Sequence, residues 1–329
     1  MSRRITNKDI VANTGKVDLV REFERISRLF SEDVECSGVG LRPHSFEVCF
    51  NSVFSESVYG ATYVDVYDVL GMLGVLKEDT DDVYEFDLVK FNDVGVFLLY
   101  IEYVMSALYT LYWLDVYNTD EASVDELRER LADESRIVQG MVRFRDSYSS
   151  FSYEIEFSYA AWFRLWDKCL DVVRKLGYTA HILGYEGKPY VLIVLEDPSA
   201  ELVGSIEAGD ALGISRSVRE YRAVGLKGNL EKKAELLCTL YKDIECVLPS
   251  KEAKLDKYLE GLRSDFTNVC NTAGIRHGDP KEKPAEKFKR MSDAELEVWY
   301  DNAYTMYLHI KLALEYRQIR KDLADLRRD

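Results

Sequence analysis

The sequence predicts a mainly α-helical chain: a helical N-terminal domain, a small β-hairpin and a C-terminal helical bundle. Three observations predict it. Apolar residues recur at helical spacing in most windows, Pro43 is the only proline before residue 188, and one window alone changes to paired aromatic and β-branched runs. With 329 residues, 47% of them hydrophobic, the chain is long enough for several domains that bury their own cores. The expected division is an acidic helical domain over 1–146, a connector with a helix and the hairpin over 147–204, and a helical domain over 205–329.

Asp18 to Phe30 places Leu19, Phe23, Ile26, Leu29 and Phe30 on one stripe, the pattern of an amphipathic helix. Tyr63 to Leu76 and Ser123 to Val138 are weaker helical windows, the second opened by a Ser123/Glu126 capping box. Glu78 to Asp82 reads as an acidic surface loop. Val94 to Leu114 carries Glu102 as its only charge and is long enough to span a bilayer. Its flanks, Asp93 and Asp115, lack the Lys/Arg bias that orients a span, so a central core helix and no membrane is the expectation.

Ala160 to Leu176 is a helix with Trp162, Phe163, Trp166, Leu170 and Val173 available for burial and Gly177 as its stop. Tyr178 to Tyr185 and Tyr190 to Leu195, joined by Glu186-Gly187-Lys188-Pro189, form the hairpin. Helices are expected again at Ser199 to Ala208, near Ser215 to Ala223, at Leu230 to Val247 before Pro249, and at Lys251 to Thr272. A polar connection, Asp279 to Arg290, leads to a second capping box, Ser292 with Glu295, which opens a final helix to about Leu326.

Charge is distributed unevenly. Between Arg42 and Arg128 seventeen Asp and Glu face only Lys77 and Lys90, whereas residues 211–329 hold 23 Lys and Arg against 20 Asp and Glu. An acidic N-terminal face of this kind repels free nucleic acid and fits a basic protein partner. The opening residues, MSRRITNK, lack the apolar run of a secretory signal, and the six cysteines show no CxxC spacing, so reduced thiols in a cytoplasm are expected. Cys36 with Cys49 and Cys238 with Cys246 are the pairs that a disulfide would use.

Nucleotide motifs are absent: Gly15-Lys16 lacks the rest of a P-loop, and Cys36 to Gly40 is not a dinucleotide fingerprint. Asp65 and Asp68 share a helical face, yet no carboxylate–histidine cluster completes a metal site, and neither a metal nor a cofactor is expected. Of the four histidines, His44, His181 and His309 read as ordinary loop, hairpin and helix residues. His277 follows Arg276 at a helix end, near Asn268 and Asn271 and ahead of Lys281 and Lys283. A helix C-terminus favours a protonated imidazole and an arginine binds phosphate bidentately, an arrangement suited to RNA phosphates.

The segments Tyr221 to Leu248, Asp265 to Pro280 (DFTNVCNTAGIRHGDP) and Met291 to Leu314 resemble the C-terminal part of a bacterial protein family whose helical domain is similar to HEPN domains. These occur in abortive-infection and toxin–antitoxin proteins. The resemblance covers roughly residues 205–329 and implies a HEPN-like bundle, a homodimer and metal-independent RNA cleavage by an arginine and a histidine with four to six residues between them. His277 is the counterpart histidine. Cys270, Asn271 and Thr272 occupy the arginine slot, so Asn271 stands where the family has its guanidinium, with Arg276 as a relocated cation and Arg263 further back. A neutral amide supplies no charge to a phosphorane-like transition state. Three readings follow: an RNA-cleaving or RNA-binding dimer with His277, Arg276 and Asn271 at the site and Arg263, Lys281 and Lys283 along the RNA; a structural turn with Arg276 tied to a carboxylate; and a non-catalytic acidic protein that inhibits a nucleic-acid-binding partner.

Overall fold

A computed structural model describes residues 17–32, 45–46, 76–77, 85–116, 139–145, 152–185, 188–206, 213–248, 257–277, 288 and 290–327. Among them the fold is mainly helical, as expected, with eight α-helices and three two-stranded antiparallel sheets. The chain forms two compact units, Met1–Ile193 and Val194–Asp329. The windows Ser123 to Val138 and Glu78 to Asp82, Tyr63 to Leu76 apart from its last residue, the Asp65/Asp68 pair, His44, Cys36 and Cys49 lie outside the described residues.

In the first unit, α1 (Leu19–Ser31) begins where the Asp18 side chain accepts from the Arg21 amide at 3.1 Å. Its stripe buries Leu19, Phe23, Ile26 and Phe30. Phe23 stacks on Phe91, in a 3-10 turn at Leu88–Asn92, with ring centres 3.6 Å apart, and meets Tyr100 edge-on. Fully burying such side chains contributes about 1.5–3 kcal/mol each. Two short strands, β1 (Leu76–Lys77) and β2 (Glu85–Phe86), pair antiparallel on either side of residues 78–84.

The apolar helix α2 (Val94–Val116) contains the one described stretch long and apolar enough to cross a membrane, Val94–Trp113, and it packs as a core helix. Phe97, Leu98, Ile101, Val104, Met105, Leu108 and Leu111 are buried. Trp162 Nε1 donates to the Leu108 carbonyl at 2.8 Å from α3 (Tyr159–Lys175). That helix is capped by Ser158, buries Trp162, Leu165, Trp166 and Cys169, and stops at Gly177, whose φ of 84° permits the left-handed turn.

The hairpin is present as β5 (Tyr178–Tyr185) and β6 (Lys188–Leu195), with β6 starting two residues before the expected Tyr190. Side chains of α2 satisfy the backbone of β6. Ser106 Oγ accepts from the Val191 amide at 3.0 Å and donates to its carbonyl at 3.3 Å, and one turn earlier Glu102 Oε2 accepts from the Ile193 amide at 2.7 Å. Burial pushes the Glu102 carboxyl up to about 7 against the opposing pull of that bond.

Two pairings were not expected: β1 with β2, where the helical window Tyr63 to Leu76 ends in a strand residue, and, reaching into the expected helical domain 1–146, β3 (Gln139–Arg145) with β4 (Ser152–Ser158), Arg143 opposite Glu154 and Val142 opposite Ile155. The strict alternation of Ser152-Tyr-Glu-Ile-Glu-Phe-Ser158 is a strand period, visible in the sequence but outweighed there by the helical windows around it.

The second unit is a helical bundle. Helix α4 (Pro198–Ile206) packs on α5 (Ile214–Glu220), and α6 (Leu230–Val247) and α7 (Lys257–Thr272) pack on the long α8 (Asp293–Leu326). Asn229 caps α6, and Ser292 and Glu295 form the expected capping box of α8. The core joins Val218, Leu237, Leu240, Ile244, Phe266 and Tyr307, with Tyr221 stacked on Tyr304 at 4.3 Å. Lys233 ties α6 to α8 through Glu297 at 2.8 Å and Asp301 at 2.9 Å.

Candidate functional site

The turn after α7 is built by local rules. Thr272 Oγ1 donates back to the Asn268 carbonyl at 2.6 Å, the Ala273 amide reaches Val269 O, and Gly274 then adopts a φ of 77°. A side chain at that φ costs roughly 1 kcal/mol, which is why glycine ends the helix here. The next three residues, Ile275–His277, form a 3-10 turn. Ile275 is fully buried and acts as the peg that fixes the turn to the bundle, while Arg276 projects outward.

Three side chains of α6 hold Arg276. Cys238 Sγ donates to its carbonyl at 3.5 Å, the Tyr241 ring lies under its guanidinium at 5.8 Å, and Glu245 Oε1 is 3.6 Å from Nη2. Cys238, Tyr241 and Glu245 recur at three and four residues, so they rise along one face of α6. Tyr241 also donates to Glu245 Oε1 at 2.8 Å, and burial with that bond pushes its phenol up to about 12.

Magnitudes decide what this cradle does. The Arg276 and Glu245 side chains are 49% and 48% exposed and their contact is long, so the pair is worth about 0–1 kcal/mol. A charge-assisted bond from arginine to phosphate contributes roughly 1.5–3 kcal/mol. Glu245 therefore positions the guanidinium without sequestering it.

Of the residues singled out in the sequence, Asn271 and Arg276 are both exposed within five positions of the α7 terminus. Arg263 is half-buried and sits two turns before Asn271, about 12 Å along the helix axis, so α7 does not bring it to the turn. The backbone of His277 belongs to the 3-10 turn; its side chain, Lys281 and Lys283 lie outside the described residues. His309 is exposed on α8.

Sequence reading missed Tyr241 and Glu245, and also a buried ionic cluster on the α8-facing side of the same helix. Asp243 Oδ2 accepts from Lys311 Nζ at 3.0 Å and from Tyr307 Oη at 2.8 Å, with all three residues buried between α6 and α8. Charged residues at these positions look like solvated helix faces until the partner helix is in place. Cys238 and Cys246 are free thiols two turns apart on α6, about 12 Å along its axis and beyond disulfide reach. Burial pushes the Cys270 thiol up, which makes it unreactive. No group of three or more metal-ligating side chains comes together among the described residues. No family model, curated protein or solved structure matches this chain.

Proposed function

We propose that this chain is a bacterial, cytoplasmic protein of the abortive-infection or stress type whose HEPN-like C-terminal unit binds RNA as a dimer at the Asn271–His277 turn. The observation that carries the reading is the exposed Arg276 guanidinium, preset by Tyr241 and Glu245 on a peg of buried Ile275. Cradled arginines beside an amide are suited to gripping a phosphate and an adjoining base or sugar. Binding is favoured over cleavage because the neutral Asn271 stands in the arginine slot, which leaves Arg276 as the one described cation at the turn to balance a pentavalent phosphorus.

The test is anisotropy of a labelled single-stranded RNA titrated with the full chain at two salt concentrations. Arg276→Ala is expected to weaken binding on the order of tenfold and to reduce the salt slope by about 0.7. Its fold is retained because Cys238 bonds the backbone carbonyl of residue 276. Glu245→Ala removes a contact worth at most about 1 kcal/mol together with a carboxylate that repels phosphate, and Tyr241 still holds the guanidinium, so binding is expected to tighten. Arg276→Ala binding that equals wild type, or Glu245→Ala binding that weakens with Arg276 intact, defeats the proposal. Cleavage of the same RNA that disappears in His277→Ala would restore a catalytic role for the turn.

A further inference from the structure

The last turns of α8 leave the bundle. From Tyr300 to Lys311 the helix buries one face, whereas every residue from Tyr316 to Leu326 is exposed. Four large apolar side chains remain in that exposed segment: Tyr316 is 63% exposed, Ile319 46%, Leu323 49% and Leu326 72%. Their spacing of three, four and three residues is the a-d-a-d seam of two heptads. The seam continues inward to Leu312, the preceding d position, which packs partly against the core. Single exposed apolar residues are ordinary, but a continuous file on an otherwise solvated helix is the mark of a covered surface.

The flanking charges identify what covers it. With Tyr316 and Leu323 at a, the g positions are Glu315 and Asp322 and the e positions are Arg320 and Arg327. In a parallel two-stranded coil, g of one helix meets the following e of the other, so Glu315 faces Arg320 of the partner subunit and Asp322 faces Arg327 of the partner subunit. In an antiparallel pair g meets g and e meets e, which sets acid against acid and arginine against arginine. Asp322 accepts from Gln318 Nε2 within its own helix at 2.7 Å, an exposed bond that exchanges readily for an ion pair across the seam.

We propose that two copies of this chain associate in parallel through the Tyr316–Leu326 seam of α8. The inference deepens the dimer in the proposed function by naming its interface. Helix α7 packs on α8 and the turn packs on α6 and α7, so a twofold along the seam sets the two candidate sites in equivalent positions on the paired bundles. Two heptads make a weak coil, so monomer and dimer are expected to exchange, with the dimer populated between about 10 and 300 micromolar.

Sedimentation of the full chain without RNA tests the seam independently of RNA binding. Glu315→Arg with Asp322→Arg makes every e and g position basic, and Arg320→Glu with Arg327→Glu makes them all acidic. Each double variant is expected to self-associate on the order of a hundredfold more weakly, and an equimolar mixture to recover the dimer. Arg320, Asp322 and Arg327 are exposed and Glu315 is half-buried, so circular dichroism, expected to match wild type, checks the fold of each double variant. Orientation is read from Ile319→Cys in a Cys246→Ser background, where a parallel seam sets the two introduced thiols opposite each other and yields a disulfide-linked dimer that the Cys246→Ser parent does not form. A wild-type chain that stays monomeric throughout that range, charge variants that associate like wild type, or failure of Ile319→Cys to cross-link overturns the proposal.

Discussion

Replacing Glu102 with glutamine should remove the part of the first unit's pH dependence that this carboxyl carries. Glu102 is the only charge in the apolar core of α2, and its carboxyl, with a folded pKa of about 7 against 4.5 in the unfolded chain, is bonded to the Ile193 amide. The folded state therefore holds a proton that the unfolded state releases. Stability from this group is fully present below pH 4.5 and is lost as pH rises through 7. Integrated over that shift, the loss is about 3 kcal/mol, of which about 1.4 kcal/mol falls between pH 6 and pH 8.5. Glutamine still accepts from Ile193 and carries no charge, so Glu102→Gln should remove this slope and exceed wild type by about 3 kcal/mol at alkaline pH. Urea unfolding followed through Trp162 and Trp166 fluorescence at several pH values measures both quantities. Parallel slopes for wild type and variant, or a variant less stable at every pH, would refute the assignment of the slope to this carboxyl.

Two further predictions concern the second unit. Lys311→Met alone leaves Asp243 buried without its counter-ion and should cost about 3–5 kcal/mol, whereas Asp243→Leu with Lys311→Met should recover most of the loss in a double-mutant thermal-melt cycle. Near-equal losses in the single and double variants would mean that the pair is not the stabilising element. Gly274→Ala forces a side chain to a φ of 77° and should lower the unit's unfolding free energy by roughly 1 kcal/mol, whereas Gly261→Ala, mid-helix with open space around its Cβ, should raise it slightly; equilibrium unfolding followed at Trp299 compares them.

Much of this architecture is carried by short-range patterns. The stripe of α1, the Ser292/Glu295 box, the Gly177 stop and the aromatic runs of β5 and β6 each state their structure within about ten residues, because capping, periodicity and turn chemistry act over that distance. The alternation in β4 was equally local, and its pairing with β3 depended on a strand that begins with Gln-Gly, a weak strand signal. At the candidate site the turn itself was legible: Gly274 announces the helix end, and Asn271 and Arg276 come out on the surface.

The sequence by itself determined the main helices among the described residues, that α2 is apolar all round, and that an arginine follows a helix-ending glycine. Only the tertiary structure decided what those residues meet. Packing α6 against the turn sets Tyr241 and Glu245 around Arg276, packing α6 against α8 turns Asp243 and Lys311 from a solvated pattern into a buried pair, and packing α2 on β6 raises one carboxyl to neutrality. The reason is physical: periodicity records which face of an element is apolar, but the effect of a charge depends on the water and partners around it, and those are set by residues tens of positions away.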